Sequence, residues 1–223
     1  MTLLRKIQNL LERTYAPIGV NLEDFIIGPR RSVELARMSG KETDYLSHQG
    51  RVYLRKTGEA LSIAVYYSPG VISRLENNHP LETLSDINIR DFITFIEEIN
   101  HALHAILLFL DGQKEISSAS FLSNLELQGK IDTYLVLKHC ISRGNGHTAL
   151  SPSHKRWLDE WLFDRETFSY PSPQIAERYR EANQMGRRFI RKLDKKNAGE
   201  RINLIRILRP LPYDEKKKFI LSA

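Results

Sequence analysis

The stretch that decides the fold is residues 88–111, NIRDFITFIEEINHALHAILLFLD. At the helical advance of roughly 100° per residue, its apolar side chains gather on one broad face, which predicts a single long helix packed on a core. The residues of this face are Ile89, Phe92, Ile96, Ile99, Leu103, Ile106 and Leu110. The opposite side carries Glu97, His101 and His104 at a spacing that stacks side chains on one face, with Glu98 beside them. This polar row is the main candidate site.

A second helix is predicted from about residue 117 to residue 142, and its apolar residues on nearly all sides are typical of a buried helix. Three ionisable residues interrupt its apolar surface: Glu126, Asp132 and His139. A buried charge needs a partner, a metal ion or a shifted pKa, and Lys130 offers Glu126 an ion pair one turn away. Gly129 costs about 1 kcal/mol relative to alanine in mid-helix, so it predicts the close approach of another helix, for which the long helix is the natural candidate.

Residues 51–67 carry the clearest β signal, because two runs rich in β-branched and aromatic residues flank a turn that contains Gly58. They predict a hairpin, which needs helices or a third strand from residues 20–27 to cover it. The predicted fold class is therefore α+β, mainly α, with a β-hairpin or small antiparallel sheet packed beside a central long-helix pair. Residues 143–151 read as a glycine-rich linker. We expect an α+β core over residues 1–150 and a basic helical C-terminal region over residues 151–223, packed on that core.

Composition limits the class of protein. The chain has 223 residues, of which 41% are hydrophobic and 27% charged, an ordinary globular balance. Its single cysteine, Cys140, excludes an intrachain disulfide and favours a reducing compartment, so we expect a cytoplasmic protein. No run approaches about 18 uninterrupted apolar residues, and the first residues lack the pattern of a signal peptide. We therefore expect a soluble protein with no membrane partner.

Positive charge is concentrated at the C-terminus. From residue 171 onward there are 14 Lys and Arg against 6 Asp and Glu, a net charge of +8, which leaves −2 for the rest of the chain. Such an excess attracts an acidic protein surface or nucleic acid through a field that is sensitive to salt and reads no sequence. The alternative interpretation is a solvated charged helix face.

The residues EEINH, from Glu97 to His101, resemble the zincin signature HExxH with its first histidine replaced by glutamate. The resemblance covers about residues 60–135 and is to the gluzincin class of metallopeptidases. It implies that Glu97 and His101 bind a zinc ion, that Glu98 is the catalytic base that activates water, and that Glu126 is the third ligand.

Two departures from the family pattern affect this expectation. Glutamate at position 97 weakens zinc binding and favours harder divalent metals, and Lys130 stands where the family has an aspartate. His104, in the same row, is a further candidate ligand. Glu98 and His101 also form one ExxH, half of the di-iron pattern of ferritin-like bundles, but the second ExxH is missing.

The residues leave two hypotheses for the function. The first is a metal-dependent hydrolase, active or vestigial, that acts on a peptide or amide bond. The second is a non-enzymatic helical adaptor or regulator whose basic C-terminal helices bind an acidic protein or nucleic acid. In the second case the polar row faces solvent or hydrogen-bonds to neighbouring helices. A serine or cysteine nucleophile is not indicated, because the sequence has no GxSxG and Cys140 is expected to be buried.

Overall fold

The computed structural model describes residues 1–38, 49–144, 150–165 and 172–222. Within these ranges the chain is mainly helical with one small mixed sheet, which confirms the α+β, mainly α prediction. The elements are α1 (Leu3–Thr14), β1 (Ile26–Ile27), α2 (Pro29–Met38), β2 (Gly50–Thr57), β3 (Ala60–Tyr67), α3 (Pro69–Asn77), α4 (Ile89–Leu110), α5 (Ala119–Gly144), α6 (Pro152–Asp159), α7 (Pro173–Leu193), α8 (Ala198–Leu208) and α9 (Tyr213–Ser222). The centre of the predicted linker, residues 145–149, lies outside the described residues.

The sheet consists of the predicted hairpin and a third strand. β2 and β3 are antiparallel, and β1 pairs with β3 in parallel, so that β3 lies in the middle. Gly58 lies in the two-residue turn of the hairpin with φ of 59°, a left-handed conformation that glycine adopts without a steric cost. The buried face of β3, with Val65 and Tyr67, is part of the same core as α4, which confirms that the hairpin packs beside the long helix.

The central helix pair consists of α4 and α5, which pack against each other along their length. The first five residues of the predicted apolar face of α4 are buried, whereas Leu110 is 67% exposed, so that part of the prediction is wrong at the last turn. By length and composition α4 is also apolar enough to cross a membrane, but 61% of the qualifying window is buried inside the protein. This burial is what the core helix of a folded domain requires.

Helix α5 is buried on nearly all sides, as predicted, from residue 123 to residue 134. His139 is exposed, so the expectation that it is a buried charge is wrong. Cys140 is half-buried and packs against the main core. Burial raises the pKa of its thiol to about 11, and a thiol that stays protonated near neutral pH is a poor nucleophile.

The C-terminal helices pack on the other side of α5. α7 lies along α5, and α9 contacts both helices. A Cβ added to Gly186 of α7 would lie 3.2 Å from Cβ of Lys130 on α5, so glycine is what permits this close approach. Phe189 and Leu193 of α7 share a second apolar cluster with residues of α8 and α9.

Candidate functional site

The predicted metal row lies at the interface between α4 and α5. His101 is at its centre: its Nε2 atom is 3.4 Å from Oε2 of Glu126, and its Nδ1 atom is 3.7 Å from Oε2 of Glu98. A Cβ on Gly129 would lie 3.3 Å from Nε2 of His101, which confirms that Gly129 allows the long helix to approach. The structure therefore brings together three of the five predicted site residues, Glu98, His101 and Glu126.

The carboxylates of this interface also contact cationic side chains. Nζ of Lys130 donates a hydrogen bond of 3.0 Å to Oε1 of Glu97 across the two helices. Nε of Arg178, on α7, lies 3.5 Å from Oε1 of Glu126. Both predicted acidic ligands thus have an ammonium or guanidinium group where a metal ligand set would have a metal ion.

The pKa shifts of His101 and Glu126 both favour the charged form of the side chain. Burial by itself lowers the pKa of His101, but the carboxylates of Glu126 and Glu98 outweigh burial and hold the pKa well above its ordinary value. Burial raises the pKa of Glu126, and His101 with Arg178 more than offsets it, so that this pKa is lowered. We therefore expect His101 to be protonated at neutral pH, with both of its nitrogens as donors. An imidazolium cannot bind a metal ion, because a ligand nitrogen must be free of its proton.

The gluzincin ligand set does not fit this arrangement. Among the described residues there is no group of three or more His, Cys, Asp and Glu side chains that could hold a metal ion. Glu97 is hydrogen-bonded to Lys130, and Glu126 is shared between His101 and Arg178. Metal binding would require that the imidazole lose its proton and that these cations move away. The metal ligands and the hydrolase therefore stay predictions from the sequence.

His104 belongs to a different group of side chains, one helical turn further along α4. Its Nε2 atom lies 2.6 Å from Oδ2 of Asp132, and the hydroxyl of Tyr15 donates to the other oxygen of that carboxylate. Gln128 donates to the Tyr15 hydroxyl at 2.7 Å and accepts a 2.9 Å hydrogen bond from Nζ of Lys216 on α9. We call these five residues the buried polar network.

The buried polar network joins four helices or their ends, because Tyr15 follows α1 and the other members lie on α4, α5 and α9. Lys216 is only 1% exposed, and burial, with Arg209 nearby, lowers its pKa to about 7 although Asp132 opposes the shift. The sequence marked Asp132 as a buried charge but gave no sign that Lys216 is buried, since it lies in the basic run KKK at residues 216–218. The network holds α9 against the central pair.

A second candidate site is a groove of about 920 Å³ between α7, α8 and α9. We call it the basic groove. Six cationic side chains line it, all from α7 and the residues that follow it: Arg187, Arg188, Arg191, Lys192, Lys195 and Lys196. Its floor is apolar and consists of Leu204 from α8 with Phe219 and Ile220 from α9.

Most cations of the basic groove have no carboxylate partner among the described residues. Arg187 pairs with Asp159 and Asp164, and Lys196 lies 3.4 Å from Glu200. The other four have no ion pair within the part of the chain that the structure describes: Arg188, Arg191, Lys192 and Lys195. The one acid within residues 187–196, Asp194, binds Lys138 and Tyr134 of α5. The sequence predicted the excess of charge but not its location over an apolar floor.

Comparison of the chain with protein-family models, curated proteins and solved structures found no match.

Proposed function

We propose that the chain is a non-enzymatic helical protein that binds an anionic partner in the basic groove. The observation that carries the proposal is that four cations line this groove without a carboxylate partner among the described residues. Like charges held close together repel one another and create a positive potential, which a bound anion relieves. The groove therefore favours the binding of an anion.

The ammonium group of Lys192 is a second reason to expect an anionic partner. Its ammonium nitrogen is buried and has no hydrogen-bond acceptor within the described structure. Burial, together with the charge of Lys196, lowers its pKa. A buried donor without an acceptor costs free energy, and an incoming carboxylate or phosphate oxygen would supply that acceptor.

The polar row on α4 supports a structural role better than catalysis. Glu98, the predicted base, lies beside an imidazolium, and a Cβ added to Gly50 of β2 would come within 2.8 Å of its Cγ atom. The aliphatic part of the Glu98 side chain therefore packs against strand β2. In this proposal the row is an ion-pair network that fixes the distances between α4, α5 and α7, while the basic groove binds the partner.

Charge reversal in the groove tests the proposal. We expect the Arg191→Glu/Lys195→Glu variant to lose at least about tenfold in affinity for fluorescently labelled inorganic polyphosphate, measured by anisotropy at roughly 100 mM salt. The matched control is Lys56→Glu/Arg90→Glu, which changes the net charge equally at exposed positions outside the groove. We expect it to retain most of the affinity. Equal losses in both variants, or no binding by the parent protein, would contradict the proposal.

A further inference from the structure

The chemistry of the basic groove also indicates the class of its partner. The floor formed by Leu204, Phe219 and Ile220 is continuous with the apolar cluster of α7, α8 and α9. Phosphate groups gain nothing from such a floor, whereas apolar side chains gain about 25 cal/mol for each Å² of surface that they bury. A partner that uses both parts of the groove therefore carries apolar groups as well as negative charge.

The groove is poorly suited to stack nucleobases. Phe219 is the only aromatic side chain among the described residues that line it. Nζ of Lys192 lies 4.7 Å from the centroid of this ring, a cation–π contact that covers one face. Single-stranded nucleic acid is held mainly by stacking on open aromatic faces together with phosphate contacts. The groove offers the phosphate contacts but not the stacking surface.

The exposed cations lie at the C-terminal end of α7. Arg188 and Arg191 are three residues apart near the end of the helix, Lys195 follows two residues after the helix ends at Leu193, and all three are exposed. Carboxylates one turn apart on a second helix would face Arg188 and Arg191, while the apolar side of that helix would face the floor.

We infer that the basic groove binds an acidic amphipathic helix of a protein partner. Carboxylates of that helix contact Arg188, Arg191 and Lys195, and its apolar side chains lie on the half-buried Leu204 and Phe219. A further carboxylate supplies the missing acceptor for Lys192. The inference rests on the proposed function, because it identifies the anion that the groove takes.

Three labelled probes of equal charge test it: a peptide that forms an acidic amphipathic helix, a peptide of the same composition scrambled to remove the apolar face, and a single-stranded oligodeoxynucleotide. We expect the amphipathic peptide to bind at least tenfold more tightly than either of the others in anisotropy titrations against the full chain. The apolar floor supplies this difference, since the charges are equal.

Two substitutions on α8 test whether the apolar floor causes the difference in affinity between the two peptides. Leu204→Asn should reduce the advantage of the amphipathic peptide over its scrambled form by at least threefold. Ile207→Asn on the same helix is the matched control, because Ile207 is 54% exposed and does not line the groove. Circular dichroism checks that both variants fold, and Leu204→Ala replaces Leu204→Asn if the latter does not.

The outcomes separate this inference from the proposed function. Equal affinity for the two peptides, with polyphosphate still bound in the groove, would overturn the inference alone. Tighter binding of the oligonucleotide would assign the groove to nucleic acid and would also overturn it. Failure of all probes, polyphosphate included, would overturn both the inference and the proposed function.

Discussion

Nε2 of His101 lies 3.4 Å from Oε2 of Glu126, across the interface between the two central helices. Both residues are candidate metal ligands predicted from EEINH and its gluzincin resemblance, and in this structure they pair with each other. Arg178 on α7 reaches the other oxygen of Glu126, so one carboxylate connects α4, α5 and α7. Buried charges of this kind persist only when they are paired, and each of these groups has its partner on a neighbouring helix.

The imidazolium state of His101 can be measured directly. We expect the NMR titration midpoint of its ring to lie well above the ordinary histidine value and to fall in the Glu126→Gln variant, because that carboxylate is the main cause of the raised pKa. A pKa raised by folding means that the pair contributes its full stability below the unfolded value of about 6.5. That contribution is lost as the pH rises through the folded pKa. Glu59→Gln, at an exposed position in the hairpin turn, is the control and should leave the midpoint unchanged.

A second prediction concerns metal content. Protein purified without a histidine tag should retain far less than one zinc ion per chain, because Lys130 and Arg178 already neutralise the carboxylates that would bind it. Metal analysis by mass spectrometry checks this, with Glu97→Ala and His101→Ala as comparison variants. Stoichiometric metal in the parent that both substitutions abolish would restore the metallopeptidase hypothesis.

The buried ammonium of Lys216 should make stability depend on pH. Its folded pKa of about 7 lies below the unfolded value of about 10.4, so the unfolded state binds more protons between these two values. The free energy of unfolding should therefore rise with pH over this range. Below pH 7 the cost of burying the charge is present in full, and it amounts to a few kcal/mol at about 1.4 kcal/mol per pKa unit.

Lys216→Met removes this dependence. We expect the difference in unfolding free energy between Lys216→Met and the parent, measured by urea denaturation, to favour the variant most below pH 7 and to shrink as the pH rises toward 10. The lost hydrogen bond to Gln128 adds a penalty that does not depend on pH in this range. Lys218→Met changes an exposed neighbour and is the control. A difference that stays constant with pH in Lys216→Met would show that the ammonium is not buried as described.

Periodicity predicted the fold better than it predicted the site. The bounds of α4 and α5, the hairpin and the close approach at Gly129 all follow from local patterns, since apolar spacing and glycine act within one element. What the polar row faces depends on a second helix. Nothing in the spacing of Glu97 indicates that Lys130 reaches it from α5, or that Arg178 arrives at Glu126 from a helix about fifty residues later. The EExxH pattern predicted metal ligands, and it gave no sign of the ion pairs that these residues form.

The basic groove likewise could not be predicted from sequence patterns within one helix. The excess of charge after residue 171 is visible by counting, but three helices must meet before Leu204 and Phe219 lie beneath Arg191. Likewise, Lys216 differs from Lys217 and Lys218 only in its position on α9, where it alone points into the core. Sequence patterns within one helix do not contain this information.

The dependence of polyphosphate affinity on salt tests the central claim most directly. Each cation that contacts a phosphate adds about one to the slope of log affinity against log salt concentration. We predict that Arg191→Ala/Lys195→Ala lowers the slope by about two, while Lys56→Ala/Arg90→Ala leaves it unchanged. If the groove variant keeps the slope of the parent protein, the anion binds elsewhere and the basic groove is not the functional site.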